Sequence, residues 1–372
     1  MPQKAGSAES KTTTIASDNS NVAQTRYILS QNHIYIEDEE AERRGAGLIK
    51  KAREIIKGGR KSDMDIEVAE DLRRVSRKHK SDNELTWLVN VWAILLNDTR
   101  WAKADDGMND EEAIEWIEQA WEKDRLKCNW SADFVTNSIP PLELGGDPTL
   151  EAFAEQVKVK NPKPDLTYGL REEAFTELER QINFSHKARL SVNLDHPFFI
   201  VEAKSADGPI AAAENQDARA GAAMTYFKRM FNQAANNSGS EDAANQYSTS
   251  SRPPPNDTPA VTTSAPTSVP IPDETSFTFS LAIDPTIARM FVNWAEYKPR
   301  PPSSLPNTKP AVYYHMHLLS DYLLSDTAHW VALHHDINNV LDWGVGKRKR
   351  EIKGLCEMIA EGGGKGRKRQ RV

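Results

Sequence analysis

The most constraining stretch of this chain is Phe198 to Ser205, FFIVEAKS. Four apolar residues run directly into Glu202 and Lys204, with only Ala203 between the two charges. Alternate side chains on a strand share a face, so Glu202 and Lys204 point one way and Val201 and Ala203 the other. A carboxylate at the end of an apolar strand needs a partner, a metal or solvent. The segment therefore predicts a buried strand whose end delivers charge to a site.

The surrounding sequence predicts an α/β domain. Residues 1–33 are rich in Ser, Thr, Asn and Gln and read as a disordered arm. Residues 37–80 are highly charged, with apolar residues three or four apart, as in surface helices. Leu85, Leu88, Val89, Trp92, Leu95 and Leu96 form a wide apolar face on a helix capped by Ser81 or Asp82. A further helix is expected at about 110–124. Strands are expected at 165–170, 198–204, 277–284, 290–297 and 312–324, and helices at 172–182, 210–235 and 328–360. Residues 236–276, with seven prolines between Pro253 and Pro272, read as a disordered insertion. The domain is expected over 34–360, followed by a basic tail at 361–372.

Composition narrows the classes. The net charge of -7 argues against a generally basic protein that coats nucleic acid. No apolar run approaches the roughly 20 residues of a membrane helix. The two cysteines, Cys128 and Cys356, fit neither a metal motif nor a disulfide framework, so a reduced intracellular setting is expected. Two basic clusters, KRKR at 347–350 and KGRKRQRV at 365–372, have the form of a bipartite nuclear signal. They predict a nuclear location and binding to an import receptor.

The chemistry lies with the acids. Pro164-Asp165 opens the strand at 165–170, and Asp165 and Glu202 at two strand ends suit one or two divalent cations. Mg²⁺ takes a couple of carboxylates together with waters and phosphate oxygens. It polarises a phosphodiester and lowers the pKa of an attacking water. Lys204 would position that water or neutralise developing charge. A rival set, Asp284 with Glu296 and Lys298, has hairpin spacing, although Asp284 precedes a proline at a turn. His315 and His317 share a strand face, and His334 and His335 sit on a helix; core or surface roles suit all four.

Asp165 with Glu202-Ala203-Lys204 resembles the PD-(D/E)XK nuclease superfamily, and most closely the fungal nuclease-like domains of uncharacterised proteins. Glu84 and Trp87 in NELTWLVNVW match that group's Glu and Trp on an early helix. Gln216 in AAENQDARAGAAM matches its Gln on the helix after the E-x-K strand. The resemblance implies a restriction-endonuclease-like mixed sheet flanked by helices. It implies Glu84, Asp165 and Glu202 as ligands to Mg²⁺ or Mn²⁺, Lys204 as the catalytic lysine and Gln216 as an accessory group. The expected activity is hydrolysis of nucleic acid, with DNA the expected substrate. The alternative is an inactive domain of the same fold that binds nucleic acid or a protein partner. Thirty-seven positions separate Asp165 from Glu202, where compact members have a short turn.

Overall fold

The computed structural model describes residues 22–58, 64–96, 126–130, 133–134, 159–186, 188–191, 194–239, 269–298 and 311–369. Their centre is one mixed sheet. Its strands are β1 (Ile34–Ile36), β2 (Leu126–Trp130), β3 (Leu166–Arg171), β4 (Arg189–Ser191), β5 (Leu194–Ala203), β6 (Ile271–Pro272), β7 (Thr278–Ile283), β8 (Ile287–Lys298) and β9 (Ala311–Leu323). The main path runs β1-β9-β8-β7-β5-β3-β2, with β4 beside β5 and β6 beside β8. β5 pairs parallel to β7 and antiparallel to β3, so the FFIVEA strand lies inside the sheet. Every residue of β5 is buried, which its apolar run requires.

Helices cover both faces. α1 (Val22–Gln31), α2 (Glu39–Arg44), α3 (Ala46–Ile56), α4 (Ile66–Lys78) and α5 (Glu84–Leu95) come first. α6 (Glu177–Ser185), α7 (Ile210–Gly239), α8 (Thr327–Trp343) and α9 (Lys349–Arg369) follow. Leu48, Leu72, Trp92 and Trp330 pack with Val201, Ala203 and Leu281 on one face. On the other face α7 lies against Ile200, Ala282 and Phe291. α7 also makes the crossover that parallel β5 and β7 require. Its Ala-rich surface brings it close: a Cβ added to Gly221 would sit 2.2 Å from Asn293 Cγ.

The expected mixed α/β architecture is what the chain adopts, with differences at element ends. Part of the expected arm, Val22–Gln31, is the helix α1, and Arg26 bonds Glu214 on α7. Asn83 caps α5, not Ser81 or Asp82, through Oδ1 accepting from Thr86 N at 2.9 Å. The helix expected at 172–182 is a short 3₁₀ turn followed by α6, because Thr176 and Glu179 form a capping box there. α7 continues to Gly239, and Ile271–Pro272 pairs with β8, so both ends of the expected insertion are ordered. The helix expected at 110–124, the centre of the insertion, the first 21 residues and the last three lie outside the described residues.

The expected helix at 328–360 is divided by a π-turn at Gly344–Arg348. The turn buries Arg348, which donates to Phe277 O at 3.0 Å and Pro197 O at 3.2 Å and lies over the Phe198 and Trp343 rings. The KRKR cluster therefore exposes Lys347 and Arg350, leaves Lys349 half-buried and uses Arg348 as a core group. The expected basic tail also changes, since α9 runs on through Arg369.

Candidate functional site

Asp165 and Glu202 are brought face to face by strand register. β3 and β5 pair with Leu166 opposite Val201, so one further step sets Asp165 opposite Glu202. Val201 and Ala203 enter the core beneath α5 and α8, and Ile200 packs under α7. Glu202 shares the Ile200 face by alternation, which directs it toward α7. Asp165 is held by its Oδ2, which accepts from Ala203 N at 2.7 Å. That bond closes the end of the β3–β5 ladder.

Lys204 and Glu84 complete the cluster. The backbone of Lys204 stays on the sheet, its N–H donating to Ile283 O at 2.9 Å. Its ammonium donates to Glu84 Oε1 at 2.5 Å and to Ala203 O at 2.6 Å. Glu84 occupies the first turn of α5, where the helix dipole favours an acid. The Asn83 cap fixes where that turn begins. Four of the five residues expected to form the site are thus assembled from α5, β3 and the end of β5.

The fifth, Gln216, lies half-buried on α7, one position before Asp217. Asp217 was not expected. It is fully buried, with neither carboxylate oxygen hydrogen-bonded, and its strongest charge neighbours are Glu202, Glu214, Asp165 and Lys204. A sequence signal for it exists. Ala213, Asp217, Ala220, Met224 and Phe231 recur at three or four positions or a multiple of that spacing, and Asp217 is the charged member of this stripe.

The electrostatics are those of crowded carboxylates. Burial pushes Asp165 up to about 6; the Ala203 N–H opposes this and the nearby Glu84 carboxylate adds to it. Burial also drives Glu202 well above the ordinary carboxylate range, and Asp165 raises it further against the pull of Lys204 and Arg219. Asp217 is raised well above its ordinary value by burial and then by Glu202. Acids in a low-dielectric site resist simultaneous ionisation.

The donor chemistry fits a hard divalent cation, because every candidate ligand is a carboxylate and acids outnumber bases. The expected trio of Glu84, Asp165 and Glu202 is not a preformed cage, however. Among the described residues, no group of three or more His, Cys, Asp or Glu side chains is arranged to hold a metal ion. One oxygen of Glu84 is taken by Lys204 and one of Asp165 by a backbone N–H. Mg²⁺ needs only one or two carboxylates when water fills its other positions.

The rival set is separated by the sheet. Asp284 Oδ1 accepts from Thr286 N and Oγ1 at 2.6 Å and from Ile287 N at 2.9 Å, holding the β7–β8 turn. Glu296 lies eight residues beyond Ala288 on β8, about 26 Å away at the usual strand rise. There Arg44 grips it with two hydrogen bonds of 2.9 and 2.7 Å, and His315 Nε2 lies 3.1 Å from it. His315 is buried against Trp294 and Tyr35, and His317 contacts Arg53.

Residues 71–251 match the model of a family described as a domain of unknown function (DUF7924). That span includes Glu84, Asp165, Glu202, Lys204 and the Gln216-Asp217 pair. No curated protein and no solved structure matches the chain. No described helix is long and apolar enough to cross a membrane.

Proposed function

We propose that this chain is a divalent-cation-dependent nuclease of the PD-(D/E)XK kind, hydrolysing phosphodiester bonds in DNA. The observation that carries the reading is Lys204 Nζ, 2.5 Å from Glu84 and one residue beyond the strand end where Asp165 meets Glu202. An ammonium fixed beside acids at the carboxyl end of an inner strand suits a phosphate, since open α/β sheets bind ligands there.

A bound Mg²⁺ or Mn²⁺ would polarise the phosphate and acidify a water. Glu202 and Asp165 would hold the cation from two strands, and Glu84 would orient Lys204. Lys204 would hold the attacking water by a hydrogen bond from Nζ, then stabilise the extra charge on the phosphorus centre. Gln216 would orient groups from the α7 side. The new bond joins water oxygen to phosphorus, the phosphorus bond to the leaving oxygen breaks, and a proton passes to that oxygen. The exposed Lys347 and Arg350 would supply phosphate contacts sensitive to salt. With the C-terminal cluster they also suit an import receptor and a nuclear location.

A specific observation favours a second reading, a catalytically silent domain of this fold that binds nucleic acid or protein. Lys204 is buried, and Glu84 and Ala203 O take two of its three ammonium hydrogens, as in a structural ion pair. Labelled single-stranded, duplex and branched DNA separates the two. Cleavage that requires Mg²⁺ or Mn²⁺ and is lost in both Lys204→Ala and Asp165→Ala is the expected result. Folded wild type that cuts none of these substrates would leave the silent domain as the better reading.

A further inference from the structure

We propose that Asp217 is a cation-binding carboxylate of this site, acting with Glu202 from the opposite wall. The inference rests on the metal-dependent reading above and changes its ligand set. The resemblance points to Glu84, Asp165 and Glu202, whereas the geometry adds a helix carboxylate and leaves Glu84 to Lys204.

Three observations converge. First, Asp217 is 0% exposed and both oxygens lack a hydrogen-bond partner. A buried polar group is ordinarily satisfied by protein or ordered water, so an orphaned carboxylate at this depth calls for a ligand. Second, the position is directional. Glu202 faces α7 by strand alternation, and Asp217 faces the sheet from the stripe shared with Ala213 and Ala220. The small side chains on that stripe let helix and sheet approach. Third, a nearby acid shows the contrast. Glu214, one turn earlier on α7, is bonded by both Arg26 and Arg289. Asp217 receives no such guanidinium bond.

Two carboxylates from opposite walls, with water and a phosphate oxygen completing the shell, make a sufficient Mg²⁺ site. This arrangement does not require the three-carboxylate cage that is absent among the described residues. It also leaves the Ala203 N–H to Asp165 and the Lys204 ammonium to Glu84, so the local bonds survive cation entry.

The test is binding by the full chain, measured with Mn²⁺ by calorimetry and by thermal unfolding. Wild type should bind saturably and gain Tm, because a ligand specific for the native state stabilises it. Asp217→Asn should bind roughly tenfold more weakly or worse, with a metal-free Tm no lower than wild type. Asp217→Cys should lose Mg²⁺ binding and acquire Cd²⁺ binding, since thiolate prefers softer ions. That switch is not expected of a merely structural acid. If Asp217→Asn fails to fold, the Cys variant decides alone.

Unchanged Mn²⁺ affinity in Asp217→Asn, with loss in Glu202→Gln, would overturn the role of Asp217 and leave the metal site standing. No Mn²⁺ binding by wild type would overturn both. A lower metal-free Tm with an unchanged cation-induced rise would make Asp217 a structural acid.

Discussion

Lys204 Nζ lies 2.5 Å from Glu84 Oε1, joining the residue after β5 to the first turn of a helix 120 positions earlier in the chain. Lys204 is buried, while Glu84 retains about a third of its side-chain exposure. Solvent on the Glu84 side weakens the pair, and burial of Lys204 makes loss of its partner costly. A double-mutant cycle with Lys204→Met and Glu84→Gln should therefore give a coupling of about 1–2 kcal/mol in urea unfolding. Lys204→Met should be the more damaging single change, because it leaves Glu84 and Asp165 facing each other without the ammonium. Additive single effects would mean that the pair is not closed in solution.

Asp165 makes stability depend on pH in a direction opposite to an ordinary surface acid. Its folded-state pKa is raised from 3.8 to about 6, chiefly by burial. The folded protein therefore holds this proton more tightly than the unfolded chain. The favourable contribution is complete below about pH 4 and is lost as pH rises through about 6. A shift of this size corresponds to on the order of 3 kcal/mol. Asp165→Asn keeps an acceptor for Ala203 N–H and removes the titration. Its urea midpoint should exceed that of wild type at pH 7.5, with the advantage shrinking toward pH 4. An advantage of equal size at both values would remove Asp165 as the titrating group.

Much of this arrangement is legible in the sequence, because strand alternation is local. FFIVEAKS sets Glu202 apart from Val201 and Ala203 without knowledge of any other segment, but β5 ends at Ala203 and the Lys204 ammonium turns to Glu84 on α5 instead of following Glu202 toward α7. The partnership of Glu84 with Lys204 is not local; the family resemblance brought Glu84 in as a metal ligand, and only the fold shows it bonded to Lys204. Asp217 was legible as an acid within an apolar helical stripe, but a helix of Ala, Asn, Gln and Arg shows several such interruptions. Only the position of α7 over β5 selects among them. The π-turn was hidden for the same reason. Arg348 reads as one of four basic residues until Phe277 O, Pro197 O and two aromatic rings surround it.

The triplet at Glu296 shows that identical local spacing can serve stability alone. Burial pushes the Glu296 carboxyl upward, but the adjacent His315 ring and the hydrogen bonds from Arg44 outweigh it and hold the group down at about 2. Its favourable contribution is present above the ordinary glutamate range and is lost only as pH falls toward 2. Glu296→Gln should cost about 1.5–3 kcal/mol at pH 7, the range for hydrogen bonds to a charged group. DNA cleavage per folded molecule should not change. Loss of cleavage with retained stability would move the catalytic assignment to this end of the sheet.

Gly221 controls how closely α7, and with it Asp217, approaches the sheet. An alanine Cβ there would lie 2.2 Å from both Cγ and Oδ1 of Asn293, whose Nδ2 donates to Ser280 Oγ at 2.9 Å. Alanine is the better helix former by up to about 1 kcal/mol in an open position. At Gly221 the steric conflict reverses that sign, and overpacking should cost about 1–3 kcal/mol. Gly354→Ala on α9 is the internal control, because its added Cβ meets nothing within 4 Å. It should be neutral or stabilising by up to about 1 kcal/mol. Gly221→Ala should also weaken Mn²⁺ binding, since lifting α7 draws Asp217 away from Glu202. Urea unfolding and calorimetry on the two variants read both effects. Equal stability changes would remove the close α7–β8 contact as the cause.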